Sequence, residues 1–120
     1  MDNYSNQLDH LFSALSDPTR RAIVSRLAKG PATVSELSVP FPIALPNFLK
    51  HVRILENSGL IRTQKQGRIR VCAIRPEALS PTERWLTAQR KQMAGRLDRM
   101  EAYIEQLTSI HPNKKGTKKQ

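Results

Sequence analysis

The sequence predicts a mainly α fold with a small β-hairpin and a long C-terminal helix. Three observations carry this. Before residue 58, apolar residues recur at helical spacing in short stretches divided by capping and breaking residues. Residues 60–74 then hold two strand-like runs around Lys65-Gln66-Gly67. From Ser80 onward one helical pattern continues without a breaker to about Leu107. At 120 residues the chain has the length of one domain, read as an N-terminal arm over 1–7, a domain over 8–110 and a disordered basic tail over 111–120.

Each element has its own signal. Leu8, Leu11, Phe12 and Leu15 follow i, i+3, i+4, i+7, one face of a first helix. Ser16-Asp17-Pro18 ends it; Asp17 suits an N-cap and Pro18 the first position of a second helix. That helix runs to about Ala28 with Ala22, Ile23 and Leu27 inward, and Lys29-Gly30-Pro31 stops it. Thr33-Val34-Ser35-Glu36 is a capping box for a short third helix carrying Val34 and Leu37. Pro40 and Pro42 force a turn. A fourth helix, with Pro46 in its first turn, runs to about Asn57 and is ended by Ser58-Gly59. Phe48, Val52 and Leu55 form its inner face; Asn47, Lys50 and Arg53 face out. In the hairpin, Leu60 to Gln64 is one strand, and Arg68 to Ile74 the other, with Ile69, Val71 and Ala73 alternating against Arg70 and Cys72. Ser80-Pro81-Thr82-Glu83 is a second capping box and opens the long helix. On it Leu86, Met93, Leu97, Met100, Ile104 and Leu107 fall at spacings 7, 4, 3, 4, 3, a heptad-like stripe with Arg90 at the missing step. The stripe is too long to bury against so small a domain and reads as a dimer seam; the alternative is an amphipathic helix packed within the chain.

The net charge of +10 is concentrated. Residues 1–43 and 76–110 are each balanced, whereas residues 44–75 carry seven Lys or Arg against Glu56 alone, and the tail adds Lys114, Lys115, Lys118 and Lys119. Cations gathered on one stretch suit a polyanion. No apolar run approaches the ~20 residues that span a bilayer, and Met1 to Leu11 holds Asp2 and Asp9 with no base before Arg20, unlike a signal peptide. A cytoplasmic protein without a membrane partner is expected. The single cysteine, Cys72, can form neither an internal disulfide nor a zinc cluster, and reads as a structural thiol rather than a redox sensor. No nucleophile, phosphate-loop or metalloprotease motif is present, so an enzyme is not expected, and neither metal nor cofactor is. His10 and His111 are isolated.

The element order is that of a winged helix-turn-helix with a terminal dimerisation helix. The stretches LSDPTRRAIVSRLAKGPATVSEL (15–37) and LPNFLKHVRILENSGLIRTQKQGR (45–68) resemble the ArsR-type family of small bacterial repressors, as does the terminal helix more weakly. The resemblance implies a homodimer that binds a pseudo-palindromic operator in double-stranded DNA and blocks transcription of its own or a neighbouring operon. It also implies release by a metal, a thiol modification or another inducing ligand or partner, which these residues do not single out. The chain departs from the metal-sensing patterns: TVSELS lacks the cysteine pair and the terminal helix lacks histidine, as in the metal-independent branch.

A helix-turn-helix presents the N-terminal part of its second helix to the major groove. The expected recognition residues are Leu45, Pro46, Asn47, Leu49, Lys50, His51 and Arg53. Asn47 suits adenine or phosphate; Lys50 and Arg53 suit guanine edges or phosphates. Leu49 suits a thymine methyl or a helix–helix contact, and Leu45 the same surface or the core. His51 has a phosphate reading and a structural one. In the wing, Lys65, Arg68 and Arg70, with Arg62 and Gln64, suit flanking phosphates or the minor groove. Thr33 and Ser35 suit phosphate at a helix start, although capping already accounts for Thr33. The dimer contacts are assigned to Leu8, Leu11 and Phe12 and to the long-helix stripe. An RNA- or ribosome-binding winged helix is the alternative function, disfavoured because none of the six aromatic residues lies in the basic 49–75 stretch. A protein-interaction module is the third.

Overall fold

The computed structural model describes residues 3–110. Expectations for residues 1–2 and for the tail 111–120 lie outside the described residues. The element order is α1 (Asn3–Leu15), α2 (Pro18–Leu27), β1 (Ala32–Thr33), α3 (Val34–Ser38), α4 (Leu45–Asn57), β2 (Ile61–Gln66), β3 (Ile69–Ile74), a 3-10 turn (Pro76–Leu79) and α5 (Ser80–Ile110). The chain divides into two compact units, one ending at Arg84 and one beginning at Trp85. The fold is mainly helical with a small antiparallel sheet and a long C-terminal helix, as expected.

The break between α1 and α2 is made by the residues that signal it. The Asp17 side chain accepts from the Arg20 amide at 3.0 Å, and Pro18 opens α2. The arginines of the same turn then reach back: Arg20 Nε donates to the Ala14 carbonyl at 2.8 Å and Arg21 Nη1 to that of Leu15 at 2.8 Å. The last carbonyls of α1, which have no partner within their helix, are satisfied in this way. α1 starts at Asn3, so the expected arm is largely the helix's first turns.

The first unit's core takes Leu11 and Ala14 from α1, Ile23 and Leu27 from α2, and Ala32 from β1. Leu37 of α3, then Phe48, Val52 and Leu55 of α4, join Leu60, Ile61 and Cys72 from the sheet side. The Phe48 ring lies 5.4 Å from that of Phe41, tilted by 37°. Several positions differ from expectation. On α1 the buried face is Leu8, Leu11 and Ala14, while Phe12 is exposed; on α2, Ala22 is exposed and Val24 partly buried in its place. Leu8 and Leu11, expected at a dimer interface, are buried in their own chain and keep almost no surface to offer a second one.

The sheet has the order β1-β3-β2, all antiparallel. β1 is two residues long, too short to leave a periodic pattern in the sequence, and pairs Ala32 with Cys72 and Thr33 with Val71. β2 and β3 extend past the expected turn: Lys65 pairs with Arg70 and Gln66 with Ile69. The loop is Gly67-Arg68, and Gly67 has φ +66°. A positive φ at the first loop residue alone is the pattern of a type II′ hairpin, for which glycine is suited. The alternation of β3 leaves its inward phase open, and burial of Cys72 agrees with its reading as a structural thiol. Cys72 is fully buried, and Ile69 is 53% exposed. The core lies on the Cys72 side because Ile61 and Ile74, its neighbours on that face, close the sheet base.

α5 opens differently from its capping-box signal. The 3-10 turn runs straight into it, and the Thr82 hydroxyl donates to the Leu79 carbonyl at 2.7 Å. In the second unit, Leu86, Met93, Leu97, Met100, Ile104 and Leu107 are all exposed, from 43% at Leu107 to 64% at Leu97. Among the described residues no helix is long and apolar enough to cross a membrane.

Candidate nucleic-acid interface

α4 is anchored by Phe48, Val52 and Leu55, which forces the opposite side of the helix outward. That side shows Pro46, Asn47, Lys50 and Arg53, all exposed. Leu45 is 53% exposed, which settles its core-packing alternative against the core. Leu49, one turn on, is half-buried and lines a cleft with Thr33, Ser35, Arg68, Ile69 and Arg70. The N-cap of α4 is Ala44, which supplies no side-chain hydrogen bond. The first amides of α4 therefore stay open for an external acceptor.

The other side of the cleft is the start of α3. The capping box forms as predicted: Thr33 Oγ1 accepts from the Glu36 amide at 3.0 Å, and Glu36 Oε1 accepts from the Thr33 amide at 2.9 Å. Ser35 is exposed beside it. The hydroxyl protons of Thr33 and Ser35 both remain able to donate.

The five expected wing residues do not share one surface. Lys65 and Arg70 are cross-strand partners on the face that also carries Thr63 and Cys72; Arg62 and Gln64 lie on the opposite face, and Arg68 sits in the turn. Arg70 Nη1 donates to Thr63 Oγ1 at 3.0 Å, and that hydroxyl donates to Glu56 Oε2 at 2.8 Å. The chain's one acid in residues 44–75 thus holds the wing against α4. Lys65 directly opposite Arg70 is a like-charge pair that destabilises a free hairpin. A bound polyanion would relieve it.

On the other flank of α4, His51 is drawn into the α1–α2 turn. Its Nδ1 lies 3.1 Å from Arg20 Nη1 and 3.7 Å from Asp17 Oδ2. The sequence identifies Asp17 as a cap but gives no sign of the Arg20–His51 contact, which joins residues 31 positions apart. The Arg20 amide holds the Asp17 carboxyl below its ordinary 3.8. A depressed carboxyl stabilises the fold above its unfolded-state pKa, and that contribution disappears as the pH falls through the folded-state value. Asp17→Ala is therefore expected to cost about 1 kcal/mol at neutral pH. Thermal unfolding should show the gap between variant and wild type closing below pH 4; a constant gap would refute the capping role.

Cys72 is fully buried at the junction of β1 and β3. Burial pushes its thiol up from 9.0, with Glu56 adding to the effect. That environment disfavours the reactive thiolate. Among the described residues, no group of three or more His, Cys, Asp or Glu side chains is placed to hold a metal.

A helix-turn-helix domain family model matches residues 15–64, the segment from the end of α1 to β2. The HTH-type transcriptional regulator Rv2034 of Mycobacterium tuberculosis is 39% identical over 72 residues, 60% of this chain and 67% of that protein. The transcriptional repressor SdpR of Bacillus subtilis is 28% identical over 79 residues, covering 66% of this chain and 88% of that one. A solved ArsR family transcriptional regulator is 54% identical, with a TM-score of 0.74 over 78% of this chain and 97% of its own. This chain belongs to the ArsR family. It is a DNA-binding transcriptional regulator of the winged helix-turn-helix type, and not an enzyme.

In this ArsR family member the predicted recognition helix and wing come together, with corrections of detail. Leu49 and Arg70 meet the α3 start at one cleft. His51 meets Arg20 of α2 through its Nδ1 and does not line the cleft. Strand alternation alone leaves the inward phase of β3 open, so Ile69 is not identified from the sequence as a surface residue.

Proposed function

We propose that this regulator is a cytoplasmic dimeric repressor of its own or a neighbouring operon. It lays α4 in the major groove of a pseudo-palindromic operator and rests its wing on the flanking backbone. The observation that carries the reading is the single cleft lined by the α3 start, Leu49 and the wing arginines, bordered by exposed Lys50 and Arg53. Phosphate contacts from Lys65, Arg68, Thr33 and Ser35 set the register, and Asn47, Lys50 and Arg53 read base edges. The exposed α5 stripe pairs two copies, with their recognition helices one DNA turn apart, roughly 34 Å. Repression is supported by the likeness to SdpR.

The test is binding to the DNA upstream of the regulator's own gene against a scrambled duplex, across a salt series. Sequence-selective affinity that falls steeply with salt is expected. Equal, weak binding to both duplexes would overturn the reading. Arg53→Ala should relax base preference by about 1–3 kcal/mol at one position of each half-site. Lys65→Ala or Arg68→Ala should weaken all duplexes alike and lower the salt slope by about one. Leu45 and Leu49 project apolar surface from the same helix start. Replacing operator thymines by uracil removes only methyl groups and should weaken binding; an unchanged affinity would exclude thymine-methyl contacts.

A further inference from the structure

Arg20 joins the end of α1 to the recognition helix. Its Nε donates to the Ala14 carbonyl at 2.8 Å and its Nη2 to the Ser13 carbonyl at 3.2 Å. With these two bonds made, the guanidinium is held in place, and its Nη1 lies 3.1 Å from His51 Nδ1. A guanidinium has N–H donors, no acceptor, and keeps its proton. Nδ1 is therefore the acceptor and bears no hydrogen. Asp17 Oδ2, at 3.7 Å, is beyond hydrogen-bond range of Nδ1 and already accepts from the Arg20 amide. The neutral ring thus carries its proton on Nε2. Among the described residues Nε2 has no hydrogen-bond partner, and it is not buried. His51 itself is half-buried and directly follows exposed Lys50 in α4.

We propose that Arg20 is a positioning residue for DNA binding: it fixes His51 in the Nε2–H tautomer and so aims that N–H at a backbone phosphate beside the recognition helix. This rests on α4 docking to DNA as proposed above. The contact is a neutral donor, distinct from the Lys and Arg contacts that release counterions. The carbonyls of α1 and the phosphate contact of α4 are then linked through one guanidinium.

The first arm of the test is nitrogen-15 NMR of His51 in the full chain without DNA. A ring wholly in the Nε2–H form is expected in the wild type, and a mixture of tautomers in Arg20→Met. An Nδ1–H or charged ring at pH 7.5 in the wild type would overturn the proposal. The second arm compares operator affinity in wild type, Arg20→Met, His51→Gln and the double variant. In His51→Gln the side-chain amide nitrogen can stand in for Nε2 without needing a tautomer, so this background serves as the reference against which the effect of Arg20 is read. Arg20→Met should lose about tenfold in the histidine background and under twofold in the glutamine background. Equal loss in both backgrounds would show that Arg20 acts by another route and overturn the proposal. If Arg20→Met fails to fold, His51→Phe against His51→Gln decides: about tenfold weaker binding for Phe supports the phosphate donor, and equal binding refutes it. Loss of operator selectivity in the wild type itself would remove the proposed DNA docking, and the phosphate contact with it; the tautomer is read separately on the free protein.

Discussion

Leu97→Glu is expected to be monomeric at concentrations where the wild type is a dimer, and to bind its operator at least a hundredfold more weakly. Leu97 is the most exposed member of the α5 stripe, 64% accessible within its own chain. Burying such a side chain is worth about 1.5–3 kcal/mol. Two-fold symmetry makes every substitution count twice, so the apolar loss alone is about 3–6 kcal/mol, or roughly two to four orders of magnitude in the dimerisation constant. Two carboxylates brought into an apolar seam add their desolvation. Operator affinity follows because a monomer engages only one half-site. Sedimentation equilibrium measures the assembly directly. A dimer that persists in Leu97→Glu would place the seam elsewhere on the chain. Because Leu97 is already exposed within its own chain, the substitution should cost the folded monomer little stability.

Phe48→Ala is expected to destabilise the first unit by about 3–5 kcal/mol, a large part of the roughly 5–15 kcal/mol that holds a small domain together. Phe48 is fully buried, packs against the tilted ring of Phe41 and sits on the face that anchors α4. Removing the ring leaves a cavity in the core that Val52 and Leu55 share with it. A fall in Tm of more than about 10 °C should follow. Phe48→Met, which refills most of the volume, should recover much of it. A variant that melts within a few degrees of wild type would mean that α4 is held by other contacts. DNA binding at temperatures below the new Tm should be nearly intact, since Phe48 faces away from the candidate interface. That separates it from the surface substitutions.

The helices are legible because their signals are local. Asp17-Pro18, the Thr33–Glu36 box and the Phe48/Val52/Leu55 spacing are each readable within a few residues, and each forms as read. The recognition surface follows by subtraction, since fixing the buried face of α4 fixes the exposed one. What is not legible depends on tertiary partners. Whether Leu8 and Leu11 cover their own core or another chain cannot be decided by periodicity, which marks an apolar face without saying what it meets. The inward phase of β3 is legible only through Cys72, read as a structural thiol: Ile69-Val71-Ala73 is the more apolar row, but the sheet closes on Cys72 and Ile74. The Ser80 box gives way to a 3-10 turn, because Pro76 has already begun the helical path. The Arg20–His51 contact leaves no pattern at all, since neither residue's spacing refers to the other.

β1, only two residues long, has a mechanical meaning. By pairing Ala32 and Thr33 with Cys72 and Val71, it rivets the start of α3 to the middle of β3. On the proposed interface, the phosphate donors of α3 and those of the wing are then the fixed jaws of a calliper. Their span is set by the fold and cannot be adjusted by swinging the hairpin alone. On that interface a duplex of the wrong width would be refused before any base edge is touched, and the regulator would gauge the local shape of DNA as well as its letters.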